Sequence, residues 1–167
     1  LATGPGGDNT VMKIYDVDPA SPDYLTLVGE YTAPTAQPAT AIYKLGNYVY
    51  LGRERPNGTG TTEDLFVVID VSTPGSPSVS DVTNLNISKG TEVSGIKVVG
   101  GSAYIVTRDQ NGNDEDEDAD IGDGPYIVYD VSDPTDIQLV TFCVAINWSE
   151  KATGMDITDG IVFVSNE

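Results

Sequence analysis

The densest collection of oxygen ligands in this chain is one uninterrupted stretch, Asp109-Gln110-Asn111-Gly112-Asn113-Asp114-Glu115-Asp116-Glu117-Asp118-Ala119-Asp120. Calcium binds several oxygens at once, and alternating Asp and Asn side chains in a loop supply them. Measured against the twelve-residue EF-hand loop, Asp109, Asn111 and Asn113 stand at the first, third and fifth positions. Glu115 stands at the seventh and Asp120 at the twelfth. The sixth position, where that loop needs Gly, is Asp114, and no helical pattern flanks the stretch. The expectation is a Ca²⁺ loop of DxNxN type held by Asp109, Asn111, Asn113, Glu115 and Asp120. The competing reading is a solvated acidic insertion that attracts cations only diffusely. The mutual repulsion of so many like charges favours the bound cation.

Other chemistry is sparse. Three Asn-x-Ser/Thr sequons, at Asn57, Asn86 and Asn147, fall in or beside predicted loops, one per repeat of the pattern described below. Each is an acceptor for N-glycan if the chain passes through a glycosylating export route. Histidine is absent, which removes His-based triads and His-ligated metals. The single cysteine, Cys143, lies in the apolar run Thr141–Ile146 and reads as a buried, inert thiol. Glu54, Asp109 and Glu167 close equivalent apolar runs, but no pair of carboxylates is fixed at the separation glycosidase chemistry needs. The expectation is that the protein is not an enzyme.

Net charge is −18, from 26 acids against 8 bases. Nucleic acid and anionic membrane surfaces both need a basic face, so neither is expected as a partner. No apolar stretch approaches the length of a membrane span, so no membrane insertion is expected.

The elements that must carry these residues are announced by a repeat. Asp16-Val17-Asp18-Pro19 returns as Asp70-Val71-Ser72-Thr73-Pro74 and as Asp130-Val131-Ser132-Asp133-Pro134. Each copy follows an apolar run and precedes a second one, at Tyr48–Leu51, Ala103–Val106 and Ile161–Val164. The motif Asp lies 32, 33 and 31 residues ahead of that second run. Motif-to-motif steps of 54 and 60 place the extra length in loops 52–63 and 107–124. Repeats of this size made of short β runs are stacked supersecondary units. The repeats span about 11–54, 64–109 and 124–167 of one domain, 1–167.

Four strands are predicted per repeat: Val11–Val17, Thr26–Tyr31, Thr40–Leu45 and Tyr48–Gly52; then Leu65–Val71, Val79–Val82, Gly95–Val99 and Ala103–Thr107; then Tyr126–Val131, Gln138–Val144, Gly154–Thr158 and Ile161–Ser165. Tyr, Val and Ile dominate them. Gly46-Asn47, Gly100-Gly101-Ser102 and Asp159-Gly160 are hairpin signals. Leu65–Ile69 and Tyr126–Tyr129 are continuously apolar, which predicts strands buried on both faces, as when sheets stack face to face. The motif Asp residues are expected to cap turns by accepting backbone N–H bonds.

Val68-Ile69-Asp70-Val71-Ser72-Thr73-Pro74 and Ile127-Val128-Tyr129-Asp130-Val131-Ser132-Asp133-Pro134 resemble the LVIVD repeat of bacterial and archaeal surface β-propellers, and Gly46-Asn47-Tyr48-Val49-Tyr50 fits that repeat's other half. The resemblance implies an all-β fold: a β-propeller-type repeat of three four-stranded blade units, circularly offset so that it starts and ends mid-blade. It says little of function, since propellers host many. The expected role is an extracellular or cell-surface structural or adhesive module, filament-forming or glycan-binding, calcium-stabilised and glycosylated. The alternative is the ligand-binding or catalytic part of a secreted propeller hydrolase. Half-blades leave open strand edges, so the expected partners are copies of the chain or the remainder of a longer one.

Overall fold

A computed structural model describes residues 9–35, 37–55, 64–85, 91–109, 126–143 and 152–166, with Asp109, Cys143 and Asn166 as backbone alone. Twelve strands follow one another: β1 (Thr10–Tyr15), β2 (Leu27–Thr32), β3 (Ala39–Leu45), β4 (Tyr48–Arg53), β5 (Phe66–Asp70), β6 (Ser78–Thr83), β7 (Thr91–Val99), β8 (Ser102–Asp109), β9 (Tyr126–Asp130), β10 (Gln138–Cys143), β11 (Ala152–Thr158) and β12 (Ile161–Asn166). Among the described residues there is no helix. The strands form four antiparallel sheets: β1-β2, β3-β4-β5-β6, β7-β8-β9-β10 and β11-β12. Each predicted strand is present within a few residues, because alternating β-branched and aromatic positions between Gly, Pro and Asp breaks leave the chain little else to form.

Apolar side chains decide how the sheets stack. In the β3–β6 sheet, Val49, Leu51, Val67 and Ile69 point to one face and pack on Val11, Met12, Tyr31 and Ala33 of the β1-β2 sheet and its flank. Tyr50, Phe66 and Val68 point to the other and pack on Val93, Ile96, Val98, Ala103, Ile105, Ile127 and Tyr129 of the β7–β10 sheet. The run Leu65–Ile69 is buried throughout, as its unbroken apolarity predicts. Each such side chain contributes roughly 1.5–3 kcal/mol by leaving water. The Phe66 ring links the two sheets, with its centroid 6.3 Å from that of Tyr50 and 5.8 Å from that of Tyr129. β7 lies against β3 and β4 on one side and β11 on the other, so the first strands of successive sheets are neighbours.

Two hairpins turn where the sequence predicts, and the third turns one residue more tightly. Val99 pairs with Ser102, just as Leu45 pairs with Tyr48 and Thr158 with Ile161. All three are therefore two-residue turns, at Gly46-Asn47, Gly100-Gly101 and Asp159-Gly160. Their left-handed positions are Gly46 (φ 57°), Gly100 (59°), Gly101 (83°), Asp159 (50°) and Gly160 (75°), which is what such turns demand. Ser102 rather than Ala103 thus opens the second strand of its hairpin.

Two bulges recur in register. In β3, β7 and β11 the ladder skips Thr40, Ser94 and Thr153. Each of these hydroxyls donates to the carbonyl across the hairpin: Thr40 to Gly52 at 3.4 Å, Ser94 to Val106 at 3.3 Å and Thr153 to Ser165 at 3.2 Å. In β2, β6 and β10 the ladder skips Val28, Ser80 and Val140. An extra residue at matching points increases strand twist equally in each unit.

Gly52 marks where β4 crosses β7. A Cβ there would sit 2.4 Å from Val93 Cγ1 and 2.5 Å from Val93 Cβ. Gly52→Ala is expected to cost about 1–3 kcal/mol by overpacking. Combining it with Val93→Gly, which removes both of those atoms, should cost less than the sum of the two single changes. Thermal unfolding of the four-member cycle checks this, and strict additivity would contradict the close approach.

Candidate functional site

The strands run alternately between two ends of the sheets, and the ends differ in chemistry. One end holds the two-residue hairpins and the Asp-Val motifs. There Asp16 Oδ1 accepts the Asp18 N–H at 2.8 Å, Asp70 Oδ1 the Ser72 N–H at 2.7 Å, and Asp130 Oδ1 the Ser132 N–H at 2.9 Å. Asp133 repeats the device with Thr135, through both its N–H at 3.0 Å and its hydroxyl at 2.7 Å. These bonds favour the ionised carboxylate. The Ser21 hydroxyl, then the Asp18 N–H, lower the Asp16 pKa; the Ser72 N–H, then its hydroxyl, lower that of Asp70; the Ser132 hydroxyl, then its N–H, lower that of Asp130. The motif Asps are turn caps, as the sequence reading expects. The following valine completes the fixing: Val71 N–H donates to Asn47 O and Val131 N–H to Gly101 O, both at 2.8 Å. The second and third motifs are thereby tied to the hairpins beside them.

The opposite end is where β4 finishes and β7 begins. Arg55 N–H donates to Thr91 O at 2.8 Å, and Glu54 and Glu92 form an isolated antiparallel bridge, so the two sheets meet at their backbones here. Arg53 is fully buried beneath this junction. Its Nη2 donates to Thr35 O at 2.8 Å, Thr35 Oγ1 at 3.1 Å, Gln37 O at 3.1 Å and Gln37 Oε1 at 3.2 Å. Its Nε reaches Gln37 O at 3.3 Å and its Nη1 Asp64 O at 3.2 Å. A planar fork with five donors can hold several carbonyls at once, which lysine cannot. Arg53 thus clamps the β2–β3 connection to the start of β5. Burial raises the pKa of neighbouring Tyr31, with Arg53 lowering and Asp64 raising it. Across β7 and β8, Glu92 and Arg108 make an ion pair with the glutamate nearly buried.

The first strands of the sheets share a third cluster. Lys97 Nζ on β7 lies 3.1 Å from Asp156 Oδ1 on β11 and 5.6 Å from the ring centre of Tyr43 on β3. One ammonium therefore bridges three successive sheets. The bond from Lys97, followed by the Ile157 N–H and the lysine's charge, lowers the Asp156 pKa.

The sequence-predicted site residues divide sharply. Asp109 is the last residue of β8, described as backbone only. Asn111, Asn113, Glu115 and Asp120 lie outside the described residues, as do Asn57, Asn86, Asn147 and Glu167. Among the described residues no group of three or more His, Cys, Asp or Glu is placed to hold a metal. The hairpin register also corrects one equivalence: counted from Tyr48 and Ser102, Glu54 matches Arg108, and Asp109 lies one residue further on. Arg53 and the Thr40, Ser94, Thr153 set are not singled out by the sequence reading. The second had a signal: Ala-Thr-Ala, Val-Ser-Gly and Ala-Thr-Gly centre on residues six ahead of Gly46, Gly100 and Asp159. Compared with known proteins, the chain matches no protein-family model and no curated relative.

The capping bonds make a pH prediction. Asp16, Asp70 and Asp130 titrate below their ordinary value of 3.8 when folded. Their contribution is therefore complete above that value and lost as pH falls through the lowered folded values. Asn keeps the acceptor oxygen but not the charge. The Asp16→Asn/Asp70→Asn/Asp130→Asn variant should show a shallower fall in Tm than the parent between about pH 5 and 2. Parallel acid limbs for the two proteins would contradict the assignment.

Proposed function

We propose that this chain is a propeller-type repeat module of the LVIVD kind, working outside the cell or on its surface as a non-enzymatic structural or adhesive element. Support for the propeller reading comes from face-to-face stacking of two four-stranded sheets and a two-stranded one, whose first strands, β3, β7 and β11, are neighbours. Support for a non-catalytic role comes from the commitments of the named ionisable groups: the Asp caps, the Arg53 clamp, the Glu92–Arg108 pair and the Lys97 bridge all hold sheets and turns together.

One observation carries the reading further. β4, β6, β8 and β10 all finish at the end opposite the capped turns. The connections bearing Asn57, Asn86, the acidic run and Asn147 therefore all leave the sheets at one end. One end holds the capped turns, and the strand ends at the other lead into the segments whose sequence carries the acidic run and the sequons. That division suits a module whose contacts are made on one face. In this reading Ca²⁺ is held by Asp109, Asn111, Asn113, Glu115 and Asp120. N-glycan is carried on at least one of the three sequon asparagines.

Binding to the folded state alone adds RT ln(1 + [L]/Kd), so millimolar Ca²⁺ at a site of roughly 10⁻⁴ M should stabilise by about 1–2 kcal/mol. Melting in Ca²⁺ and in EDTA reads this. Equal midpoints, or a shift that survives Asp109→Ala/Asn111→Ala, would remove calcium from the reading. Peptide mass spectrometry of native material should find glycan at Asn57, Asn86 or Asn147. Three unmodified asparagines would count against the glycosylated export route. Glycosidase or esterase turnover by the purified chain would replace the structural reading with the hydrolase one.

A further inference from the structure

Sheets built to one plan could stack in any order, and the seams within them do not prevent it. β4 pairs with β5 and β8 with β9 in one register, Tyr48 opposite Asp70 and Ser102 opposite Asp130. What differs is the contact between the last strand of one sheet and the turn that belongs to the next. That contact occurs twice. β2 meets the turn at 71–77, between β5 and β6, and β6 meets the turn at 131–137, between β9 and β10.

The parts are equivalent position by position. Gly29 lies opposite Ile14 and Asp81 opposite Val68, each just past the bulge of its strand. The two turns are equally long, since Asp70 pairs with Ser78 and Asp130 with Gln138. Each closes with the same internal bond, from the Ser76 N–H to Thr73 O at 2.9 Å and from the Asp136 N–H to Asp133 O at 3.1 Å. Pro74 therefore matches Pro134, Gly75 matches Thr135 and Pro77 matches Ile137.

The two contacts are nevertheless made in opposite ways. In the first, backbone meets backbone. A Cβ at Gly29 would overlap the Pro74 carbonyl oxygen, and one at Gly75 would sit 3.3 Å from the Val28 carbonyl oxygen. Glycine at both positions leaves no side chain between strand and turn. Pro77 has no N–H that could be left unsatisfied. In the second contact a side chain spans the gap. Asp81 Oδ2 accepts the Ile137 N–H at 2.7 Å, while its Oδ1 accepts the Val82 N–H at 2.8 Å. Ile137 is buried in the same apolar cluster as Phe66 and Val68, and Thr135 stands where the first turn has glycine.

Neither half of one contact fits the other. Against the 131–137 turn, Gly29 would offer the Ile137 N–H no acceptor, and a buried donor without one is destabilising. Against the 71–77 turn, Asp81 would drive its side chain into the Pro74 carbonyl and find no N–H at Pro77. We infer that residues 29, 75 and 77 on one side, and 81, 135 and 137 on the other, form an address: they set which turn each sheet accepts, and so the order in which the units stack. β2 selects a turn with glycine five residues and proline seven residues after its motif aspartate. β6 selects one that presents an N–H at the seventh. Such specificity comes as much from excluding the wrong partner as from holding the right one. A change at residue 29 or 81 would retune it, so the address governs order and leaves the number of units open. It goes beyond the proposed role of the module and does not depend on calcium, glycan or location.

The test exchanges the two turns in the 167-residue chain, placing the Val131–Ile137 sequence at 71–77 and the Val71–Pro77 sequence at 131–137. Turn exchange alone should lower Tm by about 5 °C or more, and so should Gly29→Asp/Asp81→Gly alone. Together the two sets restore both matched pairs, and Tm should return at least halfway to that of the parent. A combined chain no more stable than the sum of the separate losses predicts, folded or not, would overturn the inference. So would a turn exchange without cost. A smaller cycle, Asp81→Gly, Ile137→Pro and both, read by urea unfolding, is independent of whether the exchanged chains fold. Removing acceptor and donor together should change the unfolding constant about tenfold less than the product of the single effects. Strictly multiplicative effects would overturn the pairing on which the address depends.

Discussion

A strand that is apolar on both sides cannot sit at the surface of anything. Leu65–Ile69 imposes that condition on the whole molecule. Its five side chains alternate across the sheet, so two separate neighbours must cover them. The β1-β2 sheet covers one side and the β7–β10 sheet the other. At roughly 1.5–3 kcal/mol per buried side chain, this run alone contributes as much as a small domain's net stability. Ile127–Tyr129 imposes the same demand one sheet further on. Stacking is therefore the only arrangement that satisfies the sequence.

Polar groups set how close and at what angle the sheets meet. Gly29 lets β2 approach the Pro74 carbonyl, where a Cβ would be 1.9 Å from the oxygen. One sheet on, Asp81 Oδ2 accepts the Ile137 N–H at 2.7 Å. Both contacts staple the last strand of a sheet to the turn of the next. Arg53, clamping the opposite end, costs desolvation that its hydrogen bonds must offset, and loss of the fork would strand several carbonyls. Tight turns at one end and a buried cation at the other fix the tilt between sheets that apolar packing alone would leave loose.

Most of the fold was legible because the repeat carried its own punctuation. Asp-Val-Ser-x-Pro ended strands where Asx caps end them, and Gly46, Gly100 and Asp159 marked the hairpins. The register at Gly100-Gly101 was misread because Ser102 suits a turn and a strand start equally; only the ladder opposite Val99 decides it. Arg53 was missed for a different reason. Nothing local separates a solvated arginine at a strand end from one folded under a neighbouring connection, since Thr35 and Gln37 meet it only through the tertiary fold. The Thr40, Ser94 and Thr153 bulges were visible as spacing but needed a cross-strand carbonyl to acquire meaning. The metal and glycan residues other than Asp109 lie outside the described residues, so their reading rests on sequence.

The sheets and the repeats are out of step. The β3–β6 sheet takes its first two strands from one copy of the motif unit and its last two from the next, and the β7–β10 sheet does the same. A gene that duplicated or lost one whole unit would therefore always cut and rejoin two sheets at the same seam, between a β4-type and a β5-type strand. Both described seams keep the same register, Tyr48 opposite Asp70 and Ser102 opposite Asp130, so an array could lengthen or shorten by unequal crossing-over without inventing a new kind of joint. Redundancy of the joint, rather than its strength, would make the number of units an easily altered character of such a lineage.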